Sequence, residues 1–520
     1  MKTFFRKHWG LLALLGILIL AAYMRLWRIA DYLTFLGDEG RDVLVVKRMI
    51  VDGKLTLLGP TASVGGFFMG PVYYYFMAPF LWLWRLNPVG PAIGVALVGI
   101  LTVYLVYLLG KRVGGSTYSG IVAALFYGLS PVVIRFSRSS WNPNVVPFFS
   151  TSLLLLLLDI IKKPSGWKFF LIGLILGIGV QMHYVFLFLY PVVFIWLVLH
   201  KEVRTFVAGY LRIITGCLVG LSPMILFELR HEFSNTRGII SFVTSGKDTG
   251  FEILRFFPTV ASVYERLFAR LLFRLPDELQ LAQLPQQLRV GWEGVGVAAS
   301  VGMALYLFFV FWKTENAEKR ESFGLMLLWC GTASAFFGLY RKNIYDYYFG
   351  IMFAFPFITA ALVADSVRSV GKYGKYLSIG LVAALAVFLW DGRPFKFEPN
   401  RQLAQVESIA ASVVSHAGGK PFNFALISGG NSDHAYRYFF EIWNKSPVTI
   451  ENKDIDPARK TVTDQLLVVC EQLPCEPLGN SLWEVAGFGR AEIAGVWDVS
   501  VVKIYKLVHY QEATPSAQLP

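Results

Sequence analysis

Eleven apolar runs read as membrane spans: 9–29, 89–110, 117–134, 145–161, 168–181, 184–200, 205–228, 292–312, 323–340, 346–365 and 376–391. A helix needs about 20 apolar residues, range about 17–25, to cross the hydrocarbon of a bilayer. A soluble fold has no use for so many. Composition agrees: of 520 residues 55% are hydrophobic and 16% charged, against roughly 45–50% and about 25% in soluble domains. The expectation is an all-α polytopic membrane protein. Its first run, Leu11 to Ile29, exceeds the apolar core of about 7–15 residues found in cleaved signal peptides and is followed by further spans, so it is expected to persist as the first helix.

A twelfth stretch, "GPVYYYFMAPFLWLW" at 70–84, is short, aromatic and broken by Pro79. Whether it crosses inverts everything after it. If it does not, sixteen Lys and Arg, among them Lys201 and Arg204, fall on the inner side against Arg135, Arg138, Arg341 and Lys342 in the short outer loops. That bias is the one expected of short cytoplasmic loops. The stretch is therefore read as lying in the outer interface, where Tyr and Trp collect. The map places the N-terminus in the cytoplasm of a plasma (inner) membrane protein, with outer segments at 30–88, 135–144 and 229–291. The domain reading is a transmembrane part, 1–391, and an extracytoplasmic tail, 392–520.

The tail is less apolar and reads as a small α/β domain. "FNFALI" and "QLLVVC" look like buried strands, "DHAYRYFFEIW" a helix after Asp433, and "DVSVVKIYKLV" an alternating edge strand. Cys470 and Cys475, five apart, either form a disulfide in an oxidising compartment or stay as two thiols. Cys217 and Cys330 fall in apolar runs and read as packing residues.

Ionisable residues are almost missing from the spans: none occurs in 89–109, 117–134, 145–158, 184–199, 323–339 or 347–364. A pump or transporter would place them there, along an ion path. They collect instead at outer helix ends, at Arg25, Arg28, Asp31, "GDEGRD", Arg135, Arg138, Glu228, Arg230, Glu293, Arg341, Lys342 and Asp346. The net charge of +13 fits cytoplasmic loops and lipid phosphates, and nucleic acid is not an expected partner.

At that depth, outer Arg and Lys can neutralise a lipid phosphate through charge-assisted hydrogen bonds, and a neighbouring carboxylate can take a proton. Asp38 stands where a helix of roughly Glu39 to Val51, ended by Gly53, would begin. A helix N-terminus favours the ionised form of such a carboxylate. Sugar transfer from a phosphate carrier needs one base and some cations, because the leaving group is already weakly basic and the two-carboxylate arrangement of glycoside hydrolases is not required. The alternative is that Asp38 only caps the helix; Glu39, Arg41 and Asp42, taken singly, read as structural or supporting in either case.

An apolar first span, Asp-Glu in the first outer loop, the Pro-led "GPVYYYFMAPF", "LLGKRVGG" and "SPVVIRFSR" occur here in that order. Together they resemble the GT-C superfamily of polyprenyl-phosphate-sugar glycosyltransferases, in particular the protein O-mannosyltransferase and lipid A aminoarabinose transferase type. The resemblance covers roughly 9–200, with a weaker echo at "YRKNIYDYYFGIMFAFP". It implies a GT-C fold of about eleven transmembrane helices, catalysis by Asp38 as base, and Glu39 in the second acidic position. Oligosaccharyltransferases of similar layout carry a second acidic motif for a divalent metal. Here the corresponding loop reads "SRSSWNPN", with Asn142 and Asn144 and no carboxylate, so no cofactor or metal is expected.

Further candidates for holding the donor are Arg135, Arg138, Asn142, His183, Arg341, Lys342, Tyr345 and Tyr347. Each has an ordinary alternative: Arg135 and Arg138 as snorkelling interface residues, His183 as a hydrogen-bonded residue between two spans. "VYERLFARLLFRL" sets Arg266, Arg270 and Arg274 on one helical face, a basic amphipathic helix that guides the lipid or lies flat on the membrane. Asp433-His434 reads as a helix start, and there is no phosphate-cradling Gly loop, zinc spacing or nucleotide fingerprint. The combined expectation is transfer of a sugar, mannose-like or another hexose or pentose, from a polyprenyl-phosphate donor to an acceptor hydroxyl outside the cytoplasm, the acceptor being a protein, lipid or glycan. A flippase of lipid-linked sugars and a membrane scaffold are the competing readings.

Overall fold

A computed structural model describes residues 2–62, 65–200, 207–245, 247–276 and 278–511; Lys201 and Arg204 lie outside these. The chain divides into two compact units, Met1–Ile29 with Lys54–Glu398, and Ala30–Gly53 with Pro399–Pro520. The sequence assigned the acidic stretch after the first span to the transmembrane part; it clusters with the tail.

Among the described residues of the first unit five helices are long and apolar enough to cross a membrane, His8–Leu26, Val89–Gly114, Asn142–Lys162, Gln286–Lys313 and Gly371–Asp391. Two bent pairs pass the same test as single spans: Val207–Gly220 with Ser222–Arg230, bent by 66°, and Asp346–Met352 with Ala354–Arg368, bent by 58°. Prolines set several breaks. The run at 117–134, expected as one span, is a helix Thr117–Leu129 that stops at Ser130 and resumes as Pro131–Phe136. Ser130 sits at φ −61°, ψ 120°, because a residue before proline is pushed out of the α region. The aromatic stretch at 70–84 contains the twelve-residue helix Val72–Leu83 with Pro79 inside it. At 1.5 Å per residue it rises about 18 Å, well short of a hydrocarbon core of about 30 Å.

Helices Gly166–Met182 and Val207–Gly220 approach backbone to backbone. Gly173 and Gly177 on one, Gly216 and Gly220 on the other, form the four-residue spacing of small residues that lets helices meet closely in lipid. A Cβ at Gly173 would lie 1.9 Å from the Ile213 carbonyl oxygen, and one at Gly216 2.1 Å from that of Phe170. Gly216→Val is therefore expected to destabilise the protein by about 3 kcal/mol through overpacking, read as a lower unfolding temperature in detergent. An unchanged unfolding temperature would mean that these helices are not so closely packed.

The second unit holds a four-stranded sheet in the order β1-β2-β4-β3, with β1 at Asn423–Ile427, β2 at Gln465–Cys470, β3 at Ala491–Val499 and β4 at Val502–His509. β1 and β2 run parallel, and β4 pairs antiparallel with both β2 and β3. The buried strands expected at "FNFALI" and "QLLVVC" are β1 and β2, and the expected helix is His434–Ile442. "DVSVVKIYKLV" is not the edge. Its first two residues end β3, which forms that edge, and from Val502 it is β4, which lies inside the sheet between β2 and β3 with Val502 and Ile504 buried on one face and Leu507 on the other. Ala425, Leu466, Val468, Val485, Phe488 and Leu507 make the core on one face; on the other, Phe424 meets Tyr436 and Phe440 of the crossover helix. Cys470 and Cys475 form a disulfide, with Cα atoms 6.2 Å apart.

Candidate functional site

The acidic motif opens the helix Gly37–Val51 of the second unit, two residues earlier than the sequence indicated. Leu36 at the cap has no side-chain acceptor, so exposed N–H groups are satisfied from elsewhere. Glu39 Oε2 accepts from the Leu36 N–H at 3.0 Å, and Asn431 Oδ1 accepts from the Gly37 N–H at 2.9 Å. Both glycines of "LGDEGRD" are steric necessities. A Cβ at Gly37 would come 2.1 Å from Ser432 Oγ, and one at Gly40 2.3 Å from the Ala435 nitrogen, because this helix crosses the start of His434–Ile442. Further along, Arg48 Nη2 meets Glu441 Oε2 at 2.6 Å and Lys47 Nζ meets Glu441 Oε1 at 3.3 Å, which holds the Glu441 carboxyl below its ordinary range through the Arg48 hydrogen bond.

The two leading carboxylates differ sharply. The Asp38 side chain is 55% exposed and accepts from Arg41 Nη1 at 2.8 Å. Arg41 also reaches Asp42 Oδ1 at 2.8 Å. Glu39 is buried, and burial pushes its carboxyl up from 4.5 to about 7, opposed by the Leu36 N–H and reinforced by Asp38 and Asp42. Asp38 is thus the one open to solvent, while Glu39 fastens the helix start. A pH test follows. Below about 4.5 Glu39 is protonated folded and unfolded; between 4.5 and 7 the unfolded chain ionises while the folded one keeps its proton, so this contribution to stability falls as pH rises and is lost above about 7. It amounts to roughly 3 kcal/mol at 1.36 kcal/mol per pKa unit. Glu39→Gln should flatten that part of the stability-against-pH curve of the full protein. Identical slopes in both proteins would mean that Glu39 is not held protonated.

The remaining expected residues lie in the first unit. Tyr347 is the hub: its ring is 4.4 Å from Trp141, 5.8 Å from His183, 5.8 Å from Tyr345 and 4.7 Å from Tyr348. Tyr348 in turn packs on His183 and Tyr340. His183 is buried, its Nδ1 accepting from the Val185 N–H at 3.2 Å, and Asn142 donates to the Met182 carbonyl at 2.5 Å. Asn144 donates to the Ser139 carbonyl. Arg138 is buried and donates to the carbonyls of Met24 and Trp27, each at 2.6 Å, closing the C-terminal end of the first helix. Arg135 is exposed.

Arg341 and Lys342 line a cavity of about 360 Å³ together with Arg255, Arg266, Glu252 and Tyr340. The lining holds four cations and one carboxylate, and two more carboxylates, Asp248 and Asp346, pair with lining cations. Ion pairs preset them: Lys342 with Asp248 at 2.9 Å, Arg341 with Glu252 at 4.0 Å, and Arg266 with Asp346 at 2.9 Å. Sequence reasoning missed Arg255 and misplaced Arg266. The helix Ile253–Phe273 does not present a flat basic face to a membrane surface: Leu267, Phe268, Leu271 and Leu272 are buried, and Arg266 and Arg270 converge on Asp346. The i, i+4 spacing of two arginines was the legible signal; their shared carboxylate, some 76 residues on, was not. Such a lining can take up a phosphate diester by charge-assisted hydrogen bonds. Among the described residues no three of His, Cys, Asp and Glu are placed to hold a metal.

Residues 69–227 match the family described as dolichyl-phosphate-mannose-protein mannosyltransferase, a span that includes Arg135, Arg138, Asn142 and His183. No curated protein sequence matches the chain. Among solved structures, ArnT from Cupriavidus metallidurans bound to undecaprenyl phosphate is similar with a TM-score of 0.58 at 12% identity, over 96% of this chain and 98% of that one. An oligosaccharyltransferase from Archaeoglobus fulgidus, in complex with zinc and sulfate, is similar with a TM-score of 0.52 at 13% identity, over 88% and 67%. At such identities the likeness is one of fold. Fold and apolar helices define a multi-pass membrane protein with the GT-C architecture. The matched segment is similar to that mannosyltransferase family over under a third of the chain, and the fold as a whole is similar to that of ArnT and the oligosaccharyltransferase.

Proposed function

We propose that the protein moves a sugar from a polyprenyl-phosphate carrier to an acceptor hydroxyl on the extracytoplasmic face, with inversion at the anomeric carbon and Asp38 as general base. The observation that carries this reading is the cavity lined by Arg255, Arg266, Arg341 and Lys342. The acceptor oxygen attacks the anomeric carbon, the bond from that carbon to the phosphate oxygen breaks with its electrons going to the phosphate, and Asp38 takes the hydroxyl proton. Arg341, Lys342 and Arg266 bear the charge of the departing polyprenyl phosphate, the aromatic group around Tyr347 offers a face for a sugar ring, and Arg135 adds a further outer cation. The reading assigns no metal: the second outer loop carries Asn142 and Asn144 and no carboxylate, and their amide nitrogens donate to backbone carbonyls. An N-terminus in the cytoplasm and a tail outside are supported by the excess of Lys and Arg in the loops this orientation makes inner, and by a disulfide of the kind formed in an oxidising compartment.

The test is consumption of a panel of polyprenyl-phosphate sugars by purified protein in proteoliposomes, with product stereochemistry. One donor consumed, its anomeric configuration inverted, is the expected result; retention would overturn the single displacement. The two bent helix pairs are a feature that a flippase of lipid-linked sugars would share. Movement of the lipid across the bilayer with no sugar transferred would favour that reading instead.

A further inference from the structure

In the second unit, a chain of directed hydrogen bonds runs from the end of the sheet to the residue before Asp38. Glu471 follows β2 immediately, and its N–H donates to the Ile427 carbonyl at 2.9 Å, which fixes it at the end of the parallel β1–β2 pair. Its carboxylate accepts from the Tyr436 hydroxyl at 2.7 Å, and its two oxygens accept from Asn431 Nδ2 at 3.0 and 3.1 Å. A carboxylate only accepts, so the Asn431 amide is oriented with Nδ2 toward Glu471 and Oδ1 toward Gly37, where it accepts the N–H at 2.9 Å. The Asn431 backbone is held too, its carbonyl accepting from Ser428 Oγ at 2.7 Å. On the far side of Asp38, Glu39 accepts the Leu36 N–H. The absence of a Cβ at Gly37 and Gly40 lets the two helices come close enough for this geometry.

We infer that Asn431, oriented by Glu471 and Tyr436, is a positioning residue that fixes the start of the Asp38 helix for catalysis, which gives the tail a part in the transfer reaction. This rests on the assignment of Asp38 as the base. Asn431 touches the backbone of Gly37 and not the reacting atoms, so its loss should act through Asp38 alone. A misplacement of about 1 Å at a reacting group costs on the order of 10²-fold in rate.

The experiment uses the full-length protein in proteoliposomes. In Asn431→Ala, hydrogen exchange of the amides in 36–42 should speed up while β2 stays protected, and undecaprenyl phosphate should bind with unchanged affinity. Turnover of the donor found in the panel should fall about 10²-fold in kcat with KM little changed. Glu471→Gln, which keeps an acceptor oxygen for Tyr436 and Asn431, should retain most of the wild-type rate, whereas Glu471→Ala, which releases the Asn431 amide, should lower kcat and serves as the second variant if Asn431→Ala fails to fold. In the Asp38→Asn background, Asn431→Ala should cost almost nothing more, since groups acting as a unit are not additive. Unchanged exchange at 36–42, an undiminished kcat, or a full further loss on top of Asp38→Asn would each overturn the positioning role. Near-normal turnover by Asp38→Asn itself, or no donor consumed by wild type, would instead remove the assignment of the base, and this inference with it.

Discussion

Asp38→Asn lowers the rate of sugar transfer by about 10²–10⁴, the usual contribution of a positioned general base, and leaves both folding and undecaprenyl phosphate affinity in place. The change is nearly isosteric. Asp38 is more than half exposed and pairs with Arg41 at 2.8 Å, an exposed pairing of the kind worth only about 0.2–1 kcal/mol. A stability effect is therefore not expected to masquerade as a catalytic one. Glu39→Gln is the internal control. Its carboxyl already holds a proton up to about pH 7, so neutralising it should leave activity near neutrality within a few-fold of wild type. If Asp38→Asn turns over normally while Glu39→Gln is dead, the two carboxylates have exchanged roles, Glu39 serving as the base and Asp38 as a helix-start residue.

Arg341→Ala weakens binding of undecaprenyl phosphate, and Arg341→Ala combined with Lys342→Ala weakens it further. Hydrogen bonds to charged groups contribute about 1.5–3 kcal/mol each, so the single change should raise the dissociation constant by roughly 10-fold to 100-fold. Lys342 is about half exposed beside Asp248, and the unfolding temperature of each variant separates a loss of affinity from a loss of fold. Arg341→Lys should recover only part of the loss, because an ammonium cannot make the bidentate contact of a guanidinium. Equal affinity of wild type and the double variant, measured by quenching of intrinsic fluorescence, would exclude this cavity as the phosphate site.

What was legible in the sequence followed from periodicity and charge placement. Apolar runs gave the membrane class, short apolar runs in the tail gave β1 and β2, Asp433 gave the start of the helix that follows it, and the adjacency of Asp38 to a helix start was visible in "GDEGRD" itself. What escaped depends on residues far apart. Nothing local in 498–508 says whether its strand has one neighbour or two, so β4 read as an edge. Arg266 and Arg270 look like a surface stripe until Asp346 is brought beneath them. The broken course of 117–134 hangs on Pro131, which a hydropathy average passes over. Gly37 and Gly40 carry no trace of their reason in the first fifty residues, since the atoms that exclude a Cβ belong to Ser432 and Ala435.

That discontinuous second unit has a consequence for biosynthesis. Residues 30–53 and the segment beginning at Pro399 belong to one cluster, yet the ribosome makes them about 350 residues apart. At about 5–20 residues per second, the Asp38 helix waits on the order of 20–70 s for the domain that seats it. Through that interval Asp38, the base of the proposed reaction, stands on a helix whose packing partners have not yet been made, so on that reading a chain halted before the tail is complete would carry its base in sequence but not in place.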